Sequence, residues 1–278
     1  MTPQAEEADR YAVIGHPIAH SRSPWIHAQF ARQTAQHLSY GSLDVAPAEL
    51  GRRVREFFAH RGRGLNVTVP HKQAVLELMD SLSERARIAG AVNTIVREAD
   101  DRLLGDNTDG IGFVRDLTHN LGVSVAARRV LLLGAGGAAR GLLAPLLALE
   151  PSELVIANRS PERALELARD FAGRGAVRGA GFTELESQPF ELIVNATAAG
   201  LQQQLPPLPV SVLRRAAVCY DLGYAHGATP FVLWAREHGV ARSFTGAGML
   251  VEQAAESFLL WRGVRPDTAA VLAALRDE

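Results

Sequence analysis

The chain has 278 residues, enough for one large α/β domain or two ordinary ones. At 47% hydrophobic and 21% charged it has the make-up of a folded, soluble protein, and a net charge of −1 gives no overall field to draw nucleic acid or an anionic membrane. One cysteine, Cys219, excludes an internal disulfide and fits a reducing cytoplasm, the expected location.

The first ten residues, MTPQAEEADR, are polar and acidic, unlike a signal or transit peptide. YAVIG (11–15) reads as a buried strand and SPWIHAQFARQTA as the helix after it, with Ser23 placed to cap it and Pro24 in its first turn. Residues 49–62 form an amphipathic helix pattern closed by a glycine. GLNVTV (64–69) is the next strand, and KQAVLELMD begins another helical segment. Strands alternating with helices predict a largely parallel sheet covered on its faces.

AVNTIVREADDRLLGDNTDG (91–110) differs: two strand-like runs flank the polar turn EADD, a hairpin signal that would carry Asn93 to the Asp106–Asp109 loop. A second alternating series starts near residue 111. It runs through strands at RRVLLLG, ELVIANR, ELIVNAT and AVCYDLGY, with helices at GFVRDLTHNLG, AARGLLAPLLALE, SPERALELARDFA and PFVLWAREHG. The proline-rich stretch 200–212 reads as a surface loop, 246–261 as a long helix, and a last helix starts near Asp267. The apolar run 130–149 has the length of a membrane span, but its glycine cluster and Arg140 favour a strand, a turn and a packed helix.

That run holds Gly134, Gly136 and Ala139 in a G-x-G-x-x-(G/A) pattern between a strand and a helix. Glycines there allow the tight turn and bring backbone N–H groups to a pyrophosphate at the helix N-terminus. The competing reading is a turn that only packs helix to strand; the flanking elements favour a dinucleotide. The following strand ends in Asn158, Arg159 and Ser160, with Arg163 one turn on and no acid between Ile156 and Ser160. Guanidinium groups bind a 2′-phosphate that a carboxylate would repel, so NADP is expected over NAD.

In an extended strand Asn66 and Thr68 share one face, suited to a cleft, and Val67 and Val69 the other, suited to a core. Ser21 and Ser23 offer two hydroxyls to an anion such as a carboxylate, although Ser23 is also a candidate cap. Lys72 and Asp109 are the candidate dyad, because a hydride leaving a C–OH carbon requires the hydroxyl proton to be taken up. On chemistry alone a solvated lysine is the competing reading for Lys72.

The series YAVIGHPIAHSRSP, NVTVPHK, GAVNT, GDNTDG, LLLGAGGAARG, NRS, NAT and GMLVEQAA resembles, in order, the motifs of the shikimate dehydrogenase family from Tyr11 to about Gly263. The resemblance implies reversible NADPH-dependent reduction of 3-dehydroshikimate to shikimate, in the chorismate route to aromatic amino acids. It implies an α/β fold of two domains: substrate-binding, residues 1–109 plus returning helices 246–278, and Rossmann-type NADP-binding, residues 110–245, with a cleft between them.

By matching motifs, Ser21 and Ser23 would hold the substrate carboxylate, and Asn66, Thr68, Asn93 and Asp109 its ring hydroxyls. Lys72 would donate or accept the proton beside Asp109, with Tyr224 and Gln253 completing the pocket. Gly134, Ala135, Gly136, Gly137, Ala138, Asn158, Arg159, Ser160 and Arg163 would line the NADP site, with Leu222 and Gly246 nearer the nicotinamide. Two places depart from the family pattern: Thr245 stands where aspartate commonly precedes the glycine, and Ala198 and Ala199 replace a serine-bearing version.

The histidines at 16, 20 and 27 do not share a helical face, so no metal is expected, and the arginines of 52–63 read as a solvated helix face, not an RNA surface. A small-molecule substrate is expected, with no nucleic-acid or membrane partner, and a monomer or homodimer. The rival readings are a quinate/shikimate dehydrogenase using NAD and a non-catalytic NADP sensor.

Overall fold

The computed structural model describes residues 7–185, 189–197, 204–224 and 227–277. It divides into two compact units, Met1–Thr108 with Gln253–Ala273, and Asp109–Glu252 with Ala274–Glu278.

The first unit is built on strands β1 (Asp9–Gly15), β2 (Leu38–Asp44), β3 (Gly62–Val67), β4 (Ser81–Leu82), β5 (Thr94–Arg97) and β6 (Leu103–Asp106), in the order β2-β1-β3-β5-β6-β4. β1 runs parallel to β2 and β3, but β3–β5 and β5–β6 are antiparallel. The sheet is therefore mixed, not largely parallel, because the hairpin read from residues 91–110 lies inside it. That hairpin pairs Thr94 with Asp106 and turns through Glu98–Asp101.

Helix α1 (Ser23–Gln33) buries Ile26, His27, Phe30 and Ala31, a face with helical spacing. Ser23 does not cap it. Arg22 holds the cap position, and the Ser21 hydroxyl accepts the Ser23 N–H at 3.3 Å. Helix α2 (Leu50–Ala59) turns Val54, Phe57 and Phe58 inward and pairs Arg52 with Glu49 and Glu56 on its solvated face. It ends before the expected glycine: Arg61 takes the left-handed φ of 62°, and Gly62 opens β3 because a Cβ there would sit 2.2 Å from the Phe57 ring. β3 also stops before Thr68, so Val69 is 53% exposed instead of joining Val67 in the core. Past the turn the expected helical segment is a short 3₁₀ stretch, Ala74–Leu78, followed by β4 and then α3 (Glu84–Ala89).

The second unit carries β7 (Arg129–Leu133), β8 (Glu153–Asn158), β9 (Val177–Gly181), β10 (Leu192–Asn195), β11 (Val218–Asp221) and β12 (Ser243–Thr245). All pair in parallel, in the order β12-β11-β10-β7-β8-β9. The strand order reverses between β7 and β10, the switch point at which doubly wound sheets bind nucleotides. Its helices are α4 (Asp109–Arg115), continued by a π-helical turn at Asp116–Asn120, then α5 (Gly137–Leu147), α6 (Pro161–Phe171) and α7 (Pro230–Glu237). The apolar run 130–149 is the strand, turn and helix β7–α5, and among the described residues no helix is long and apolar enough to cross a membrane.

Helix α8 (Ala247–Arg262) starts in the second unit and ends in the first. There Trp261 donates to the Ile95 carbonyl at 3.0 Å, and Arg262 binds Asp9. Gly64 on β3 makes room for the Trp261 indole, which a Cβ would approach to 2.3 Å. Helix α9 (Thr268–Asp277) follows.

Candidate active site

In the first unit three of the polar residues read from the sequence, Asn66, Asn93 and Gln253, meet in one hydrogen-bonded network. Asn66, on β3, donates through Nδ2 to the Asn93 carbonyl, the Thr94 hydroxyl and the Ser257 hydroxyl at 3.0–3.2 Å. Asn93 accepts from the Thr108 backbone N–H at 2.8 Å and the Thr94 hydroxyl at 2.9 Å, and donates to Thr108 Oγ1 at 2.8 Å and Gln253 Oε1 at 3.4 Å. Thr108 closes the loop onto α8 through the Gln253 carbonyl at 3.1 Å. The hairpin thus carries Asn93 to the loop after Asp106, as its spacing predicts.

Beside this network, Lys72 is half-buried in the turn after β3. Its carbonyl accepts the Val92 N–H at 2.8 Å, and the His71 ring, 1% exposed, donates to the Val45 carbonyl at 2.7 Å. A carbonyl can only accept, so that bond fixes the proton on His71 Nε2. The lysine's main chain is therefore held from both sides. Thr68 stays on the sheet by donating its N–H to Ile14, while the hydroxyls of Ser21 and Ser23 stand at the entrance to α1.

The sequence reading did not single out Tyr40, Thr94, Thr108 or Ser257. Thr94 and Thr108 lie inside quoted motifs, and Ser257 is one helical turn from Gln253, a spacing that could have revealed it. Tyr40, on edge strand β2, has no such signal.

The second unit holds the residues expected at the nucleotide site. Gly134 has φ +105°, and a Cβ on it would lie 2.9 Å from the Ala196 carbonyl, so the turn after β7 requires glycine for protein reasons alone. Gly136 does not: apart from the adjoining chain, no atom of the described residues lies within 4 Å of where its Cβ would be. Open space at the mouth of α5, together with first-turn N–H groups for which a helix supplies no acceptor of its own, fits a diphosphate. Ala135 and Ala138 flank that mouth, and Ala139, fully buried, packs the helix on the sheet.

On the β7 side of the switch point, β8 ends at Asn158, whose side-chain amide donates to the Ser160 carbonyl at 3.1 Å. Arg159 and Arg163 are exposed and make no ion pair among the described residues, so both guanidinium groups face solvent. Leu222 follows β11, pinned through its N–H to the Asn195 carbonyl. Gly246 donates to the Gly223 carbonyl at 2.9 Å, and a Cβ on it would reach 2.3 Å from the Leu222 carbonyl. Thr245 forms the last pair of β12 with Asp221, so this turn closes without the family's usual aspartate.

Asp221 supports the segment from beneath. Its carboxylate, 1% exposed, accepts from Asn195 Nδ2 at 3.1 Å, Gly223 N–H at 3.0 Å and the Thr229 hydroxyl at 2.6 Å. Burial outweighs these donors and raises its pKa. Asp116, equally buried, accepts the Tyr220 hydroxyl at 2.6 Å and lies where any Cβ at Gly248 would strike it, and Tyr220 in turn accepts the Met249 N–H. Asp109 opens α4 and is 4% exposed; Tyr224 is half-buried. Ala198 and Ala199 lie outside the described residues.

Three family models match the chain: the shikimate dehydrogenase substrate binding domain at residues 13–95, the shikimate / quinate 5-dehydrogenase at 116–202, and the shikimate 5'-dehydrogenase C-terminal domain at 246–276. Among curated proteins, the shikimate dehydrogenase (NADP(+)) of Methylococcus capsulatus is 54% identical over 98% of both chains. That of Alkalilimnicola ehrlichii is 54% identical over 97% of this chain and 99% of its own. Among solved structures, an Ael1 enzyme from Pseudomonas putida superposes with a TM-score of 0.90 at 50% identity, covering 96% of this chain and 98% of its own. The shikimate 5-dehydrogenase of Thermus thermophilus, solved with NADP(H) and shikimate, gives 0.86 at 35% identity, covering 97% and 99%. On these matches, over nearly the whole of its length, the chain belongs to the shikimate dehydrogenase family.

Proposed function

We infer that this protein is an NADP-dependent shikimate dehydrogenase that reversibly reduces 3-dehydroshikimate to shikimate on the route to aromatic amino acids. The observation that carries this reading is the network joining Asn66, Asn93 and Gln253, a set of hydroxyl-recognising amides assembled from three distant parts of the chain.

NADPH would supply the hydride, with its diphosphate at Gly134–Ala138, its 2′-phosphate at Arg159 and Arg163 beside Asn158 and Ser160, and its nicotinamide near Leu222 and Gly246. The substrate carboxylate would accept hydrogen bonds from Ser21 and Ser23. Asn66, Thr68, Asn93 and Asp109 would hold the ring hydroxyls, with Tyr224 and Gln253 completing the pocket. In reduction, Lys72 gives its proton to the carbonyl oxygen as the carbon takes up the hydride, leaving a hydroxyl; in oxidation the lysine takes that proton back. Asp109 orients the lysine and the reacting oxygen. The chemistry requires the substrate carbon to meet the nicotinamide with water excluded. A single buried thiol, Cys219, pushed up to about 12 by burial, suits a cytoplasmic site for the enzyme.

The test is spectrophotometric. Shikimate and NADP⁺ with the purified protein should produce NADPH. Absence of reduction, with NADP⁺ still bound, would overturn the reading in favour of a sensor.

A further inference from the structure

The side-chain amide of Asn66 has a fixed orientation, and the orientation has a chemical consequence. The Asn93 carbonyl lies 3.2 Å from one terminal atom of the amide and can only accept, so that atom is the nitrogen. The nitrogen has two hydrogens and faces three acceptors, the Asn93 carbonyl, Thr94 Oγ1 and Ser257 Oγ, the last at 3.0 Å. Ser257 has one proton, to give to the Gln253 carbonyl at 3.1 Å or to Thr94 Oγ1 at 2.7 Å, and in either case its oxygen keeps a lone pair to accept from Asn66.

Asn66 Oδ1 then faces Tyr40, whose hydroxyl must be the donor, at 2.7 Å. The Tyr40 ring is stacked on His27 with centroids 4.1 Å apart and planes 6° from parallel, so the phenol arrives from a set direction. Burial raises the phenol's pKa well above its ordinary value, against the pull of the nearby Ser23 hydroxyl, and keeps the proton in place. Both N–H bonds of Asn66 and one lone pair of Oδ1 are committed. What remains for a ligand is the second lone pair of Oδ1.

We propose that Tyr40, with Ser257, is a positioning residue that locks the Asn66 amide so that it meets the substrate only as a hydrogen-bond acceptor. This rests on the reading that Asn66 contacts a ring hydroxyl of shikimate. An acceptor of fixed polarity suits a hydroxyl and opposes a carbonyl or ether oxygen. The reacting oxygen alternates between hydroxyl and carbonyl during turnover, and one such acceptor cannot serve both forms. Asn66 therefore recognises a hydroxyl that does not react, and Tyr40 sets specificity at that position without touching substrate.

The experiment compares the unaltered protein with Tyr40→Phe, which keeps the stacked ring and removes only the donor, and with Ser257→Ala, which loosens the amide from the other side. Each is assayed at saturating NADP⁺ with shikimate and with its two mono-deoxy analogues lacking a non-reacting hydroxyl. In the unaltered protein one analogue should lose roughly 10–100-fold in kcat/KM, the usual cost of leaving a buried polar group unmatched. In either variant that penalty should shrink at least about fivefold, with KM for shikimate raised and kcat within about threefold of the original. An unchanged deoxy penalty in a folded variant, or an equal fall of kcat for all three substrates, would overturn the proposal. Failure of the underlying reading would instead appear as no shikimate-dependent NADP⁺ reduction in the unaltered protein.

Discussion

Replacing His27 by phenylalanine should flatten the dependence of stability on pH. The imidazole lies on α1, 1% exposed, stacked on Tyr40 and edge-on to Phe30, and neither ring nitrogen makes a hydrogen bond among the described residues. Burial, opposed only in part by the nearby Asn66 amide, lowers its pKa from 6.5 to about 3. Between those values the unfolded chain binds a proton that the folded chain refuses, so stability is lost as pH falls below about 6.5. At 1.36 kcal/mol per unit, going from about pH 7.5 to about pH 5 should cost about 2 kcal/mol through this residue. Phenylalanine keeps the stack and abolishes the term. Urea unfolding followed by tryptophan fluorescence, with Trp261 only 5.4 Å from His27, reads it directly. The stability difference between variant and original should move by about 2 kcal/mol across that range in favour of the variant. A difference constant to within about 0.5 kcal/mol would mean that His27 keeps an ordinary pKa, and the reasoning from its buried, unbonded nitrogens would fail.

Lys72→Ala should lower kcat for shikimate oxidation by roughly 10²–10⁴ while changing shikimate binding far less, measured by steady-state kinetics and equilibrium titration; equal losses in both would remove its assigned role. Arg159→Ala should weaken NADP⁺ binding about 10–100-fold, the value of a charge-assisted phosphate contact, and leave NAD⁺ binding nearly unchanged; a parallel loss for both coenzymes would contradict the 2′-phosphate assignment.

The second unit was the more legible in sequence. Its parallel strands are buried on both faces and read as unbroken apolar runs such as Val130–Leu133, and its glycine turn has a spacing imposed by backbone geometry. The first unit was harder because its sheet is mixed and its edges are polar. β2, LSYGSLD, has neither the apolar alternation nor the turn signals that announce a strand, and nothing in it marks Tyr40. Local rules also misled where tertiary packing decided the outcome. Gly62 looks like a helix stop but is there to clear Phe57, and Ser23 looks like a cap while Arg22 already lies in the turn. Asn66 and Asn93 could be picked out from motifs, but the polarity of the Asn66 amide depends on Ser257, 191 residues away, which no local pattern encodes.

The most direct measurement is kcat/KM for four pairs, shikimate or quinate with NADP⁺ or NAD⁺, followed by reduced nicotinamide at neutral and mildly alkaline pH. The account predicts rapid reduction with shikimate and NADP⁺ and little with any other pair. Comparable rates with quinate or with NAD⁺ would contradict it.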